Sequence, residues 1–461
     1  MPQVTARGAA ASDVDVDADV LVIGAGMAGL TAAATAAAYG GRVVVVEAAT
    51  DVGGSAALSG GLLWTARSFE ALRTENPRGS PELGRVLMEG FAEGVEWIRS
   101  LGIEVGPETT PLQIPHGRGR VVDIIGYLQA CRRVVLDGDG IVVLNARVRR
   151  LRFHRDAVAG AVVADRDGDL VVSARSTILC TGGFQGDRQL RRDHIGAGAA
   201  DIVVRSNPYS DGAGLRLAAT AGAATSTDMH GFYGHVLARP LARAFEPRDF
   251  IRLSQSIYSG FGIIVNVEGR RFVDESRGYY RNAQALVGQP QQRAIVIGDR
   301  WVRETYATQR TSPGMEHWDR PKEAEAEGCR VASADDPVGL AERVAEWGYP
   351  GPAVAATLAD YNRAVSGGTD VLTPARSHNR VALVAPPFFA VEVQPAITFT
   401  HGGIAINDRT EVLDRRSRTV PGLLAAGADA GGVYSEGYAG GLSMALVFGR
   451  RAAFSSAAVT S

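Results

Sequence analysis

The chain has 461 residues, of which 46% are hydrophobic and 21% charged, proportions that predict a soluble globular protein of two or three domains. The net charge of −2 argues against a dedicated nucleic-acid-binding protein, which would carry an excess of basic residues. Cys131, Cys180 and Cys329 are too far apart for a CxxC redox pair, a zinc-ligand set or a haem-attachment motif. We therefore expect a reducing, cytoplasmic compartment.

The N-terminal segment has no pattern of its own. Residues 1–16 are polar and acidic, which predicts a disordered N-terminus without a signal peptide. The most apolar stretch, residues 20–38, is interrupted by glycines and predicts a strand followed by a helix. No segment has the length and continuity of a membrane span.

The clearest motif begins with the strand pattern of residues 19–23. The glycine-rich residues 24–29 follow it directly, an alanine-rich helix is predicted at 30–39, and a second strand at 42–46 ends in Glu47. Strand, turn, helix and acid together form the complete dinucleotide-binding unit, which is far more specific than an isolated G-x-G-x-x-G. A glycine turn in an α/β domain without a nucleotide would not explain the acid.

Each special residue of this unit has a physical role. Gly24 is expected to make the turn, Gly26 to let the backbone approach a pyrophosphate, and Gly29 to let helix and strand pack closely. The N-terminus of the helix would face the phosphate charge. Glu47 is placed to accept hydrogen bonds from a ribose.

This first unit suits NAD and FAD equally well, so the choice depends on later segments. Glycine-rich turns recur at residues 53–61, 177–184, 421–429 and 440–450. The first of these would wrap the far side of the cofactor, with Ser55 and Ser59 as hydroxyl donors, and the last opens a helix whose N-terminal amides could face a flavin ring. A simple NAD dehydrogenase would have no use for these motifs.

With these motifs in this order, the chain resembles the FAD flavoproteins that include the fumarate reductase and succinate dehydrogenase flavoprotein subunit and the 3-ketosteroid Δ1-dehydrogenases. The likeness covers residues 17–455, approximately. It implies an α/β fold with a Rossmann-like FAD-binding domain, residues 17–230 and 385–461. A smaller α+β cap domain for substrate, residues 231–384, would interrupt it.

The resemblance also implies which residues contact FAD. No Thr, His or Cys attachment motif is recognisable, so we expect non-covalent FAD. An acid, Asp429, stands where the family usually has Glu. The residues expected at the cofactor are Gly24, Gly26, Met27, Ala28, Gly29, Glu47, Ala48, Gly54, Ser55, Ser59, Gly60, Gly61, Ala146, Val148, Thr181, Gly182, Asp211, Asp429, Gly440, Leu442, Ser443 and Leu446.

Two further segments resemble the substrate site. His235 is the nearest match to a histidine that binds a substrate carboxylate in fumarate reductases; a structural hydrogen bond, or a metal site shared with His230, is the alternative. Four residues after Glu275, fumarate reductases have a proton-donating arginine. This chain has Tyr279 there, and ketosteroid dehydrogenases carry a tyrosine base in the cap.

A tyrosine acts as a base only if its surroundings lower its pKa. An unperturbed tyrosine has a pKa of about 10, so Tyr279 would require positive charge nearby, for which Arg277 and Arg281 are candidates. The alternative is that Tyr279 and Tyr280 are packed aromatic residues without a chemical role.

Two carboxylate ligands of the fumarate reductases are replaced in this chain. Phe399 stands at the position of a substrate histidine, and His401, two positions later, lies beside the flavin or packs in a loop. Tyr438, with the Gly440 or Gly441 amide, occupies the region of a substrate arginine and resembles the ketone-binding tyrosine of the ketosteroid dehydrogenases. A packing role for Tyr438 is the alternative.

These resemblances predict an FAD-dependent oxidoreductase that introduces or reduces a C=C bond next to a carbonyl. Tyr438 and a glycine amide would polarise the carbonyl of a small molecule, Tyr279 would remove the neighbouring proton, and the hydride would pass to flavin N5. An electron acceptor or donor would complete the cycle.

Two alternatives remain open. One is a fumarate-reductase-like enzyme that acts on a small carboxylate. The other is a flavoprotein subunit that passes electrons to a separate chain, because no haem or iron–sulfur motif is present in this one. For the first alternative, the anion ligands would be Arg239, Arg252, Arg277 and Arg281.

Overall fold

The structure is a computed structural model that describes residues 14–110, 114, 116–166, 168–310, 316–367 and 371–460. Most of the predicted disordered segment, residues 1–16, lies outside these residues. Its last three residues belong to the first strand, which begins at Val14 and pairs along its length with a later strand.

The described residues form sixteen strands. They are β1 (Val14–Ile23), β2 (Val43–Val46), β3 (Leu62–Ala66), β4 (Gly117–Val121), β5 (Ile141–Val143), β6 (Arg147–His154), β7 (Ala157–Ala164), β8 (Asp169–Leu179), β9 (Val203–Val204), β10 (Phe232–Ala238), β11 (Ile263–Asn266), β12 (Ala294–Gly298), β13 (Val331–Ala334), β14 (Phe388–Thr400), β15 (Glu411–Leu413) and β16 (Thr419–Ala425). Residues 141–154 form two strands, β5 and β6, because Asn145 has a φ of +57° and turns the chain between them.

The helices connect and cover these strands. They are α1 (Met27–Ala38), α2 (Phe69–Glu75), α3 (Pro81–Ser100), α4 (Ile124–Asp137), α5 (Arg188–His194), α6 (Ala213–Thr220), α7 (Asp249–Arg252), α8 (Ser256–Ser259), α9 (Tyr279–Val287), α10 (Arg300–Val302), α11 (Arg320–Ala326), α12 (Pro337–Ala345), α13 (Gly351–Val365) and α14 (Gly441–Thr460). Short 3₁₀ turns lie between several of them. In the described part of the chain, none of these helices combines the length and the hydrophobicity that crossing a membrane requires.

The first sheet has eight strands and a mainly parallel centre, in the order β5, β2, β1, β8, β16. β15 adds an antiparallel edge, and β7 and β6 extend the other part of β8. Parallel strands that are buried on both faces are continuously apolar, as are β2 and residues 20–23 of β1. The four valines of β2 are all buried, and α1 and α14 pack together on one side.

The second sheet has six strands arranged around the long strand β14. β14 pairs with β12 and β13 along its first half and with β10 and β9 along its second half. Two of these strands, β9 and β14, lie outside the predicted cap limits of 231–384. The second sheet therefore extends beyond those limits on both sides.

Each sheet has its own apolar core. One core packs the first sheet against α1, α3, α4 and α14, and the other lies around β11, β12 and β14. The arrangement matches the expected α/β fold, in which a Rossmann-like unit carries a second, mixed unit. The surface between the two units positions the candidate site.

Candidate active site

One cavity runs along the carboxyl ends of the parallel strands and continues to the second sheet. The strand register aligns the ends of β1, β2, β8 and β16, so that Gly24, Glu47, Thr181 and Gly427 meet at this edge. Open parallel sheets bind ligands here because the loops that follow their strands converge. The far end of the cavity is lined by side chains from β10, α9 and β14.

The first glycine motif forms the floor of the cavity. Gly24 has a φ of +104°, and a Cβ there would lie 2.2 Å from a carbonyl oxygen that follows β8, so the turn requires glycine. Gly26 faces open space and lines the cavity together with Met27 and Ala28. A Cβ on Gly29 would lie 1.8 Å from the carbonyl oxygen of Gly24, so Gly29 serves the packing of α1 on β1.

Glu47 is held in one orientation at the end of β2. Its two carboxylate oxygens accept hydrogen bonds from the backbone N–H groups of Ala25, at 2.7 Å, and Ala49, at 2.8 Å. The side chain is buried and lines the cavity beside Ala48. Each oxygen keeps a lone pair for a further donor, such as a sugar hydroxyl.

The second glycine turn lies beside the first glycine motif, where Gly53 donates its backbone N–H to the carbonyl of Ala25 at 2.8 Å. Gly54, Ser55, Ser59 and Gly60 line the cavity. The Ser55 hydroxyl accepts a backbone N–H from the loop after β9 at 3.2 Å, and the Ser59 hydroxyl accepts the N–H of Gly61 at 3.3 Å. Gly61 is not among the lining residues; its φ of +71° turns the chain into β3.

Beyond Glu47, the cavity is bounded by the start of β6. Ala146 and Val148 line it, as does Arg147 between them. The predicted contact residue Asp211 is not among the lining residues, because its carboxylate is paired with Arg147 at 3.0 Å and with Arg216 at 3.3 Å. Asp211 therefore does not face the cavity itself but holds the lining residue Arg147.

The turn after β8 is held by a buried acid. Thr181 and Gly182 line the cavity. Asp429 accepts hydrogen bonds from the backbone N–H of Thr181, from the Thr181 hydroxyl at 3.0 Å and from the N–H of Gly183 at 3.2 Å. Burial raises the pKa of Asp429, although these hydrogen bonds oppose that change. Asp429 itself is not a lining residue, so its role is to position the turn.

The C-terminal helix α14 points its first turn at the cavity. Gly441 and Leu442 line it, whereas Gly440, Ser443 and Leu446 lie behind this surface. The Ser443 hydroxyl donates to a backbone carbonyl of β3. Gly440 has a φ of +98° and packs against the same carbonyl. Gly440 and Ser443 therefore fix the start of the helix, and Leu446 packs against Gly94 of α3.

At the far end, four polar side chains form one hydrogen-bonded chain. The Tyr233 hydroxyl lies 2.9 Å from the Tyr279 hydroxyl and 2.8 Å from Nε2 of His235. Nδ1 of His235 lies 2.8 Å from the hydroxyl of Ser254. All four line the cavity. Tyr233 and His235 are neighbours in this chain because alternate residues of a strand, here 233 and 235 of β10, project from the same face.

Tyr438 lies against this chain. Its ring stacks on Tyr233 with centroids 4.0 Å apart, and its oxygen accepts the N–H of Gly441 at 2.9 Å. The predicted tyrosine and amide are therefore adjacent, but they are bonded to each other. The amide contact leaves the hydroxyl hydrogen of Tyr438 as a donor for another acceptor.

Burial keeps these groups neutral. It raises the pKa of Tyr279 well above the ordinary value, and the neighbouring Tyr233 and Tyr438 add to the effect while Arg205 opposes it. Burial lowers the pKa of His235 well below its ordinary value, and Arg205 lowers it further. At neutral pH, Tyr279 is consequently a phenol and His235 an uncharged imidazole.

The predicted source of positive charge near Tyr279 was wrong. Arg277 is exposed, and Arg281 donates to Glu75 at 3.0 Å. The cation that faces the tyrosines is Arg205, which follows β9, is 9% exposed and lines the cavity. Of the residues that the structure describes, neither Arg277 nor Arg281 contributes to the cavity wall.

Three other candidate residues, Tyr280, Arg239 and Arg252, have partners outside the cavity. Tyr280 points away from the cavity, and its hydroxyl donates to Glu75 at 2.9 Å. Arg252 is paired with Asp249 at 3.0 Å, and Arg239 donates its backbone N–H to a carbonyl of β14. Neither arginine is among the lining residues of the described chain.

The three remaining candidates divide between the cavity and its surroundings. Phe399 lines the cavity. His401 is buried behind it, with Nδ1 donating to the carbonyl of Ser435 at 2.7 Å, and burial lowers the pKa of His401 to about 4. His230 is exposed whereas His235 is buried, so the two histidines do not share a site.

The match to a protein family decides what this cavity holds. The family described as FAD binding domain matches residues 19–85 and 118–442, which is most of the chain. The chain belongs to this FAD-binding family. FAD is accordingly its cofactor, and relatives in the family are oxidoreductases that act on C=C or CH–CH groups.

Relatives of two kinds are similar to this FAD-binding protein. A probable fumarate reductase of Shewanella frigidimarina is 29% identical over 94% of this chain and 73% of its own length. The structure of a flavocytochrome c3 fumarate reductase is 25% identical, with a TM-score of 0.71 over 96% of this chain and 78% of that one. The 3-ketosteroid Δ4-(5α)-dehydrogenase of Rhodococcus jostii has the same fold at 23% identity, with a TM-score of 0.74 over 97% and 98% of the two chains.

The cavity fits FAD on observations from this structure alone. The first amides of α1 have no side-chain cap, and the space beyond Gly26 is open, as a pyrophosphate requires. Glu47 keeps lone pairs for the ribose, and the Thr181 turn and the start of α14 would hold the pyrophosphate and the flavin from the other side. FAD would then reach the tyrosines of the second sheet.

Among the lining residues that the sequence did not predict, Tyr233 and Arg205 are the most important for the polar end of the cavity. Tyr233 stands two residues before His235, and the period of a strand was a sufficient signal to place both on one face. Arg205 had no such signal, because it lies in a short irregular segment and its neighbours come from α7 and β14. Only the folded chain brings it to the tyrosines.

Proposed function

We propose that this FAD-dependent oxidoreductase acts on a C–C bond next to a carbonyl group, where it introduces or reduces a double bond. The observation that carries the proposal is the hydrogen-bonded chain of Tyr279, Tyr233 and His235 beside Tyr438, at the end of the FAD cavity. A proton donor or acceptor and a carbonyl-binding hydroxyl are thus adjacent.

Tyr438 is the residue that would bind the carbonyl oxygen. Its oxygen accepts the Gly441 N–H, so its hydroxyl hydrogen is directed to a second acceptor. A hydrogen bond from this hydroxyl would stabilise negative charge on the carbonyl oxygen and acidify the neighbouring C–H bond. The amide therefore acts on the substrate through Tyr438.

Tyr279 would exchange the proton of that C–H bond. Its hydroxyl is linked through Tyr233 to His235, a neutral base that can take up or return a proton at Nε2. Ser254 holds the other ring nitrogen and fixes the orientation of the imidazole. When bound, FAD supplies the accompanying two-electron chemistry by accepting or donating a hydride.

The other candidate functions have less support in the site. A fumarate-reductase-like enzyme would need both the histidine and the arginine with which that family holds its substrate, but Phe399 and Tyr438 occupy their regions. The arginines considered as replacements are not among the lining residues of the described chain: Arg239, Arg252, Arg277 and Arg281. An electron-transfer subunit would not need the proton path. An external electron donor or acceptor is part of the proposal.

The test is an anaerobic visible spectrum of the purified holoprotein, with a saturated cyclic ketone in one arm and its enone with dithionite-reduced enzyme in the other. Bleaching of the oxidised flavin by the ketone, or reoxidation of the reduced flavin by the enone, is the expected result. Tyr438→Phe should lower the rate by about 10²-fold or more while retaining FAD. Tyr434→Phe, a buried tyrosine whose hydroxyl donates to the Gly440 carbonyl, is the matched control. Full turnover by Tyr438→Phe would contradict the proposal.

A further inference from the structure

Arg205 is a buried cation whose hydrogen bonds leave part of its guanidinium available. Nε donates to the carbonyl of Phe250 at 2.8 Å, and Nη1 donates to the hydroxyl of Thr398 at 3.0 Å. The ring of Phe250 lies 5.6 Å from the guanidinium carbon and covers one face. These contacts hold the side chain in place, and Nη2 has no partner within the described residues.

Three other buried arginines have an acceptor for each of their side-chain nitrogens. Arg271 and Arg376 both bind the carboxylate of Glu275, at 2.6 Å and 3.0 Å. In Arg191, Nε, Nη1 and Nη2 each donate to a backbone carbonyl. Arg205 differs from both cases, because it has no acidic partner among the described residues and one nitrogen is left at the cavity surface.

A buried charge without a counter-charge is costly, and it is retained where a ligand supplies the missing partner. Burial lowers the pKa of Arg205, because the cation is kept out of water. The groups that face it inside the cavity are the hydroxyls of Tyr233, Tyr279 and Tyr438, none of which is ionised at neutral pH. The site is therefore short of one negative charge.

We propose that Arg205 binds a carboxylate group of the substrate, so that the substrate is a carbonyl compound that also carries an acid. The inference rests on the proposed function for the carbonyl part, while the anion site stands on Arg205 itself. A carboxylate would accept hydrogen bonds from Nη2 and from the second hydrogen of Nη1, the two-pronged geometry that a guanidinium offers. The acid would orient the molecule with its carbonyl toward Tyr438.

An anionic group of FAD is the other possible source of negative charge. The phosphates would lie at the start of α1, near Gly26, whereas Arg205 contacts Phe250 and Thr398 of the second unit. This position favours the substrate. The experiment separates the two sources by measuring carboxylate affinity and FAD affinity in the same variants.

The experiment uses inert probes that need no turnover. Benzoate and benzamide, and acetate and acetamide, are matched pairs that differ in charge, and each is titrated into the FAD-loaded protein while the flavin absorbance is followed. We expect at least one acid to bind about tenfold or more tightly than its amide, the preference that one charge-assisted hydrogen bond gives. The preference should disappear in Arg205→Gln and persist, weakened, in Arg205→Lys.

Arg277→Gln is the matched control, since it removes the same charge from an exposed position in the nearby segment. It should keep the preference for the acids. FAD affinity, measured by reconstitution of apoprotein, should be the same in wild type, Arg205→Gln and Arg277→Gln. A loss of FAD affinity in Arg205→Gln, with the preference for acids unchanged, would assign Arg205 to the cofactor and overturn the proposal.

Other results also decide the question. If the wild-type protein binds acids and amides equally, or shows no response to any acid up to about 10 mM, the anion site is refuted. Because these outcomes come from wild type, they hold even if Arg205→Gln does not fold. They are also independent of catalysis. A failure of the Tyr438→Phe test would reject the carbonyl chemistry and leave the carboxylate site standing.

Discussion

The two ends of the cavity are built in different ways. At the nucleotide end, Glu47 and Asp429 are held in place by backbone N–H groups, and the wall consists largely of glycines and strand ends. At the tyrosine end, Tyr279, Tyr233 and His235 bond mainly to one another, and Arg205 lacks a counter-ion within the described chain. The first end binds a ligand whose shape is constant, whereas the second has hydrogen bonds that a substrate can replace.

The difference has a physical consequence for substitutions. Backbone groups at the nucleotide end cannot move without moving the strands, so a change there affects both the fold and the cofactor. Side chains at the tyrosine end can lose a hydroxyl without losing their packing. Changes at the first end should therefore alter FAD content, and changes at the second should alter rate.

The largest expected effect is at the nucleotide end. In Gly29→Ala the new Cβ would lie 1.8 Å from the carbonyl oxygen of Gly24, so α1 must shift, and we expect a loss of about 3 kcal/mol of stability together with most of the bound FAD. Thermal unfolding and the ratio of flavin to protein absorbance measure both. Gly26→Ala is the control, because no protein atom lies within 4 Å of its Cβ. It should fold normally and weaken only FAD binding. Equal stability of the two variants would contradict the view that Gly29, unlike Gly26, is needed for the packing of α1 on β1.

At the tyrosine end, Tyr279→Phe should keep FAD and the fold but lower turnover by about 10²–10⁴-fold, because the proton path loses its first member. Tyr280→Phe removes a neighbouring hydroxyl that bonds to Glu75 instead and should have a much smaller effect on rate. Stopped-flow flavin reduction or reoxidation measures both variants. Similar rates in the two would show that Tyr279 has only a packing role.

The pH dependence of the rate also tests whether Tyr279 exchanges the proton. Since burial raises the pKa of Tyr279 well above 10, the phenol is the form present at neutral pH, and it can donate a proton in the reductive direction without a pH-dependent loss. The oxidative direction needs the ionised form, whose fraction rises tenfold per pH unit below that pKa. We therefore expect a flat profile for reduction and a rising one for oxidation between about pH 6 and 9. A fall in the reductive rate near pH 7 would contradict this assignment.

Much of the nucleotide end could be predicted from the sequence because its signals are local. Gly24, Gly26 and Glu47 lie within one strand–helix–strand unit, and their spacing determines their positions. Asp429 was predicted as a cofactor ligand, but the acid is bonded to Thr181 and Gly183, whose proximity arises only when β8 and β16 pair. Sequence spacing does not show which groups already satisfy such an acid.

The tyrosine end was harder to predict because its members come from distant segments. Tyr279 and Tyr438 were identified by family resemblance, but the cation was placed at Arg277 or Arg281, the nearest arginines in sequence. Arg205, 74 residues before Tyr279, reaches the pocket because its backbone N–H bonds to the second half of β14. Proximity along the chain was misleading because packing between sheets decides these contacts.

The long strand β14 has a consequence for motion. Its first half is a central member of the second sheet, and its second half carries Thr398 and Phe399 into the cavity wall. Any rotation of that sheet as a body must displace these side chains, and with Thr398 the anchor of Arg205. Because the backbone and the side chain of Arg205 are both bonded to β14, a motion of the second unit would carry Arg205 and the proposed acid ligand together relative to the FAD-binding unit.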